Sequence, residues 1–135
     1  ITAREILDKG AERIENELSD QQEVQSRLMT TMAKVYQNLG LYDVAQPIYE
    51  KTLEKKRELF GENSIEYAIS LNDLGMVYYD KGVYDTAEKL ILNSIAITNN
   101  ILWSNDKILA IHLINLGQIK LETGQYEEAE SLFYE

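Results

Sequence analysis

Residues of the same kind return along this chain at a spacing of 42. Gly40, Gly82 and Gly124 coincide under that shift, as do Tyr42, Tyr84 and Tyr126. Ala3, Ala45, Ala87 and Ala129 form a four-member series. Met32, Leu74 and Leu116 also align, each followed by a small residue: Ala33, Gly75 or Gly117. A period of this length without an insertion implies stacked units, each of which must bury its apolar face against a neighbour. Residues 65–106 are the complete copy. Residues 21–64 are read as a first repeat, and 107–135 as a third, truncated in its second helix. Residues 1–20 match the second helix of a preceding unit, and the whole 1–135 reads as a single domain.

Apolar residues within each copy fall three and four apart, which places them on one stripe of a helix. In the opening stretch these are Ala3, Ile6, Leu7, Ala11, Ile14 and Leu18. Gly10 interrupts this helix at a cost of about 1 kcal/mol relative to alanine, so another helix is expected to approach there. Ser19 and Gln22 have capping-box spacing, as do Asn63 and Glu66. Ser104-Asn105-Asp106 is read as the cap of the third repeat's first helix. With Asp43 as an N-cap, Pro47 falls at the fourth helical position, where one backbone bond is lost. Gly61 should close its helix in the left-handed conformation. Each copy is therefore a pair of helices, A then B, joined by a short glycine turn, and the fold class is all-α.

The large-small pair followed by an aromatic in helix A, then an aromatic, alanine and a bulky residue in helix B, resembles the tetratricopeptide repeat. The second copy carries Leu74-Gly75, Tyr78, Tyr84, Ala87 and Ile91; the first carries Met32-Ala33, Tyr36, Tyr42, Ala45 and Tyr49. The third has Leu116-Gly117, Tyr126, Ala129 and Phe133, with Lys120 in place of the aromatic. The usual period of that family is about 34. The longer one, with Asn72, Asn115 and the Leu59–Asn63 loop, resembles the 42-residue variety of kinesin light chains. The resemblance implies a right-handed superhelical solenoid of antiparallel hairpins. A weaker echo, in 3–14 and 42–47, is to the repeats downstream of bacterial serine/threonine kinase domains; no kinase motif is present.

Composition narrows the function. Net charge is −10, and residues 58–135 carry four basic against thirteen acidic side chains, whereas 1–57 carry nine against ten. Nucleic acid is disfavoured as a partner, because binding it needs a basic face. The acidic half favours basic or mixed-apolar peptide segments. No apolar run is long enough to span a bilayer, and no signal peptide is legible. With no cysteine there is no disulfide or thiolate metal site, which suits a cytoplasmic location. The start at Ile1 and the end within a helical pattern suggest an excised piece of a longer protein. No cofactor or metal is expected, and no enzyme: His112, the single histidine, is expected at the surface or groove edge, with no nucleophile pattern beside it.

By resemblance, helix A lines the concave face of the solenoid. The inward positions are then Arg27, Thr30, Lys34 and Gln37 in the first copy and Ile69, Asn72, Met76 and Tyr79 in the second. In the third they are Ile111, Ile114, Asn115, Gln118 and Leu121. Amides here can pair with the backbone of an extended peptide; the Ile and Met residues either contact that peptide or pack on the next repeat. A clamp for a C-terminal carboxylate is not expected, since the basic residues sit in one copy. Trp103 is expected to plug an inter-repeat joint. The expected function is a non-catalytic peptide- or protein-binding scaffold, with signalling among its roles. The alternative is self-assembly through uncapped ends exposing Ile6, Ile14 and Leu18, or Leu132 and Phe133.

Overall fold

A computed structural model of the chain describes residues 2–101 and 106–134. Every element among them is an α-helix: α1 (Ala3–Glu17), α2 (Gln22–Asn38), α3 (Tyr42–Phe60), α4 (Ile65–Asp80), α5 (Tyr84–Ile101), α6 (Asp106–Glu122) and α7 (Tyr126–Phe133). The chain divides into two compact units, Ile1–Leu59 and Phe60–Glu135. Trp103 and the residues Ser104 and Asn105 lie outside the described residues, and so do the roles expected of them.

Three glycine turns are built alike. Gly40, Gly82 and Gly124 have φ of 78°, 78° and 79°, a region open to glycine and costly for residues with a Cβ. The Leu41, Val83 and Gln125 amides donate back to the carbonyls of Tyr36, Tyr78 and Lys120 at 2.9, 2.9 and 2.7 Å. The glycine amides donate to Gln37, Tyr79 and Leu121. This is the paired-bond helix stop of the Schellman type, which satisfies carbonyls that a helix end otherwise leaves bare. The residue after each glycine then opens the next helix, its carbonyl accepting from Ala45, Ala87 or Ala129.

In the first unit α2 buries Ser26, Met29, Ala33 and Tyr36, and α3 buries Ala45, Tyr49 and Thr52. Tyr36 donates its hydroxyl to Asp8 of α1 at 2.5 Å, and Tyr49 donates to Gln37 at 2.8 Å. Burial first, then the Asp8 carboxylate, pushes the Tyr36 phenol up to about 12. The α1 helix has no fully buried residue, and Ile6 is 62% exposed. A Cβ on Gly10 would meet the Met32 methyl at 3.6 Å, ordinary contact.

Three local expectations are corrected. Ser19 does not cap α2: Gln21 holds that position without a side-chain bond, and Gln22 donates instead to the Ser19 carbonyl. Gln25 meanwhile satisfies the α1 end by donating to the Ile14 and Glu15 carbonyls. The cap of α4 is Ser64, not Asn63; its hydroxyl accepts from the Tyr67 amide at 3.2 Å and donates to the Gly61 carbonyl. Finally, Asp43 is not the N-cap of α3, which begins at Tyr42 because the Leu41 carbonyl already accepts from Val44 and Ala45. Pro47 is then two positions deeper than expected and cannot supply the bond to the Asp43 carbonyl.

In the second unit one core cluster is Ala87, Ile91, Ile95, Leu116 and Ile119, with Met76, Tyr78, Leu113 and Leu132 packed on it. The small residues of helix A set how close the partner helix comes. A Cβ on Gly75 would sit 2.8 Å from Ile91 Cγ1 and 3.3 Å from the Ala87 carbonyl oxygen. On Gly117 it would sit 2.6 Å from the Phe133 ring. The third copy also trades an aromatic for a charge. Lys120 stands where Tyr36 and Tyr78 stand, is 13% exposed at its side chain, and pairs with Glu88 of α5 and, at 3.1 Å, with Glu128 of α7. Gln125 accepts from the same ammonium at 2.9 Å, where the other turns place Leu41 and Val83. These bonds to Glu88, and to Glu128, hold the ammonium above its usual range.

Substitutions at these close contacts should rank by how far the neighbour can yield. Gly75→Ala should lower stability, because overpacking of about 1–3 kcal/mol outweighs the roughly 1 kcal/mol gained in helix propensity. Gly117→Ala should cost less, since Phe133 is 41% exposed and its ring can swing away; thermal unfolding of both variants tests the order. Lys120→Ala should destabilise by about 2 kcal/mol by stranding the mostly buried Glu88 carboxylate, and Lys120→Tyr should recover part of that in urea unfolding.

Candidate functional site

Helix periodicity puts positions i, i+3, i+7 and i+10 on one stripe. On α4 that stripe is Ile69, Asn72, Met76 and Tyr79; on α6 it is Ile111, Ile114, Gln118 and Leu121, with Asn115 one step round. The two helices touch, and two side-chain pairs join them. Asn115 Nδ2 donates to Asn72 Oδ1 at 3.0 Å, and the Tyr79 hydroxyl donates to Glu122 at 3.2 Å. Both pairs are 43 residues apart, one more than the period, so a helix A residue meets the neighbour just past its own equivalent. Glu122 was not singled out in the sequence; that shared offset was the signal for it.

The stripe is mixed in exposure. Asn72 is only 5% exposed, so its carboxamide serves mainly as the acceptor that orients Asn115. Met76 and Tyr79 are half-buried against the core, and the Tyr79 ring lies 5.7 Å from that of Tyr84 at a tilt of 57°. Burial and then Glu122 hold the Tyr79 phenol above its ordinary range, so it is a neutral donor near neutrality. Ile69 is 37% exposed although α6 lies beside α4. Ile111, Ile114 and Leu121 are 46, 44 and 42% exposed. The second unit thus presents an apolar strip with an amide pair set into it.

The first unit carries its own four expected residues on α2. Arg27 and Lys34 are exposed. Thr30 donates to the Ser26 carbonyl at 2.9 Å, and Gln37 receives the Tyr49 hydroxyl, so both polar groups are occupied within the unit.

His112 corrects a further expectation: it is 2% exposed, not at a surface or groove edge. Helix α6 is flanked by α5 and α7, and a residue one step from Ile111 turns toward α5. Thr98 gives its hydroxyl hydrogen to the Ser94 carbonyl at 2.7 Å, so the 3.4 Å contact with His112 Nδ1 requires the ring nitrogen to donate. Burial lowers the imidazole to about 4. The ring is neutral near pH 7. Among the described residues no group of His, Asp or Glu is placed to hold a metal ion, and no helix is long and apolar enough to cross a membrane.

Comparison with known proteins decides the family. The tetratricopeptide repeat model matches residues 24–90 and 74–135, which together cover most of the chain. The chain belongs to the tetratricopeptide repeat family. Among solved structures it is similar to BtubC (BKLC) from P. vanneervenii, at 26% identity and a TM-score of 0.79 over 95% of this chain and 54% of that one. It is also similar in fold to the nearly identical TPR-like repeats of a putative kinesin light chain from Podosopora anserina. Identity there is 22% and the TM-score 0.72, over 78% of this chain and 50% of that one. A point variant of those repeats gives 22% identity and a TM-score of 0.71 over the same shares of the two chains. The chain spans about half the length of the structures it matches. Curated proteins give no match. The chain thus shares its fold with kinesin light chain repeats, and the all-α hairpin-repeat class is shown. Tetratricopeptide repeats are in general protein-interaction scaffolds.

The buried imidazole makes stability depend on pH. An unfolded histidine protonates near 6.5 but the folded one only near 4, so the unfolded state takes up the proton first. The contribution is intact above about pH 6.5 and is lost progressively as pH falls toward 4, by about 3 kcal/mol at most. Urea midpoints of wild type and His112→Gln across that range should converge as the pH drops; parallel curves would show that the imidazole does not carry the effect.

Proposed function

We propose that the chain is a non-catalytic binding module and that the α4–α6 face takes an extended peptide segment. The observation that carries this reading is Ile69. It is 37% exposed on a helix, α4, that contacts its neighbouring helix A, α6. Ile69, Met76 and Ile114 supply adaptable apolar contact, while Asn115, oriented by Asn72, and Gln118 supply amides for a peptide backbone. The acid excess of residues 58–135 favours segments carrying basic residues beside apolar ones. Arg27 and Lys34 hold the corresponding repeat positions on α2 of the first unit, with opposite charge. The sequence echo in 3–14 and 42–47 supports a kinase-linked, signalling context, and the lack of cysteine suits a cytoplasmic one.

Self-association is the second reading, favoured by the 62% exposure of Ile6 on α1 and the 41% exposure of Phe133 on α7. Molar mass by light scattering over a wide concentration range separates the two.

A peptide selected from a basic–apolar library should bind the chain, and Ile69→Ser should weaken it about tenfold or more with little change in Tm. Asn115→Ala should weaken it by a smaller factor, from lost amide pairing. Peptide affinities by calorimetry that are the same for wild type and both variants would remove this face as the site.

A further inference from the structure

A cavity of about 160 Å³ lies within the first unit, walled by α1, α2 and α3. Its walls are largely apolar, with Met29, Pro47 and Ile48, and its charged lining residues are Glu15, Lys51 and Lys55. Ser26 lines it too, and it is 4% exposed. Among the described residues, Ser26 Oγ is the buried side-chain oxygen that finds no hydrogen-bond partner. Its neighbours are already engaged: the Thr52 hydroxyl donates to the Ile48 carbonyl at 2.8 Å, and the Gln25 amide is spent on the end of α1.

The repeat register shows that this hydroxyl is not demanded by the fold. At the positions of Gln25, Ser26 and Met29, the second copy carries Tyr67, Ala68 and Leu71. Ala68 is fully buried, so an apolar methyl suffices there, whereas the first copy keeps a polar group without a partner. A buried, unmet hydroxyl costs stability and asks for a ligand atom or an ordered water.

Size and charge define what fits. Apolar cavities of about 150 Å³ accommodate a single benzene ring. Each cation is paired with an exposed carboxylate, Lys51 with the lining residue Glu15 at 2.9 Å and Lys55 with Glu58 at 3.4 Å. Such pairs are weak and exchangeable, so an incoming carboxylate competes with them. We propose that this cavity binds a small aromatic carboxylate that carries a hydroxyl on its ring. The ring fills the apolar space, the hydroxyl bonds Ser26, and the carboxylate meets Lys51 and Lys55. None of these residues belongs to the α4–α6 face, so the proposal stands apart from the peptide reading.

The test is a methyl and amide NMR titration of the full chain with 4-hydroxyphenylacetate, phenylacetate and p-cresol. Saturable shifts at Met29 and Ile48 are expected with 4-hydroxyphenylacetate at up to about 10 mM, in the weak range usual for ligands of this size. Phenylacetate, lacking the hydroxyl, and p-cresol, lacking the carboxylate, should each bind roughly 3–10-fold more weakly. Ser26→Ala should erase the preference over phenylacetate without lowering Tm, and Lys55→Gln should reduce the preference over p-cresol. Absence of saturable shifts at these methyls overturns the proposal. So does a preference for the hydroxylated acid that survives Ser26→Ala, which would leave water as the partner of that hydroxyl.

Discussion

Six backbone hydrogen bonds, two at each of three glycine turns, govern how this chain folds back on itself. The turn stops one helix and starts the next within three residues, so there is no slack for the pair to slide. With the reversal set, the residues four and five before each glycine and the alanine five after it are brought to the same place in every copy. Glycine is required because its φ near 78° would force a Cβ against the preceding carbonyl. The close approach at Gly75 to Ile91 depends on this register, as does the burial of Ala45, Ala87 and Ala129.

Within that frame the copies differ where they become polar. Tyr36 reaches Asp8 on the preceding helix, and Lys120, at the equivalent position, reaches Glu88 on its own preceding helix. The interaction is the same in kind, a donor on helix A meeting a carboxylate on the helix before it, while the donor changes from phenol to ammonium. Gln125 changes with it, replacing an aliphatic neighbour by an amide that accepts from Lys120. Ser26, where the second copy has Ala68, is polar without such compensation, which is what sets it apart from the other substitutions.

The helix A stripe shows how one pattern serves two ends. A helix flanked on both sides by partners has only a narrow arc left open, and Ile69, Ile111, Ile114 and Leu121 occupy it. Residues a single step off that arc are covered, as His112 is, with its ring against Thr98. The pair Asn72 and Asn115 lies on the boundary: the first is buried and holds the second in orientation.

The sequence by itself determined the helices, the turns and the repeat class, because period, glycine position and apolar spacing are properties of the local chain. It did so to within a residue or two: the cap at Ser64 in place of Asn63, and the loss of the N-cap role expected of Asp43, turned on which nearby group reached a free amide or carbonyl first. Tertiary structure alone decided which side chains stay open and which polar groups find partners. A stripe of residues read as one face contained a buried Asn72 and a Gln37 committed to Tyr49, since exposure depends on neighbouring helices that local spacing does not specify. The same holds for the neutral, buried His112 and for the unmet hydroxyl of Ser26: each is defined by what packs around it, and packing joins residues the period does not relate.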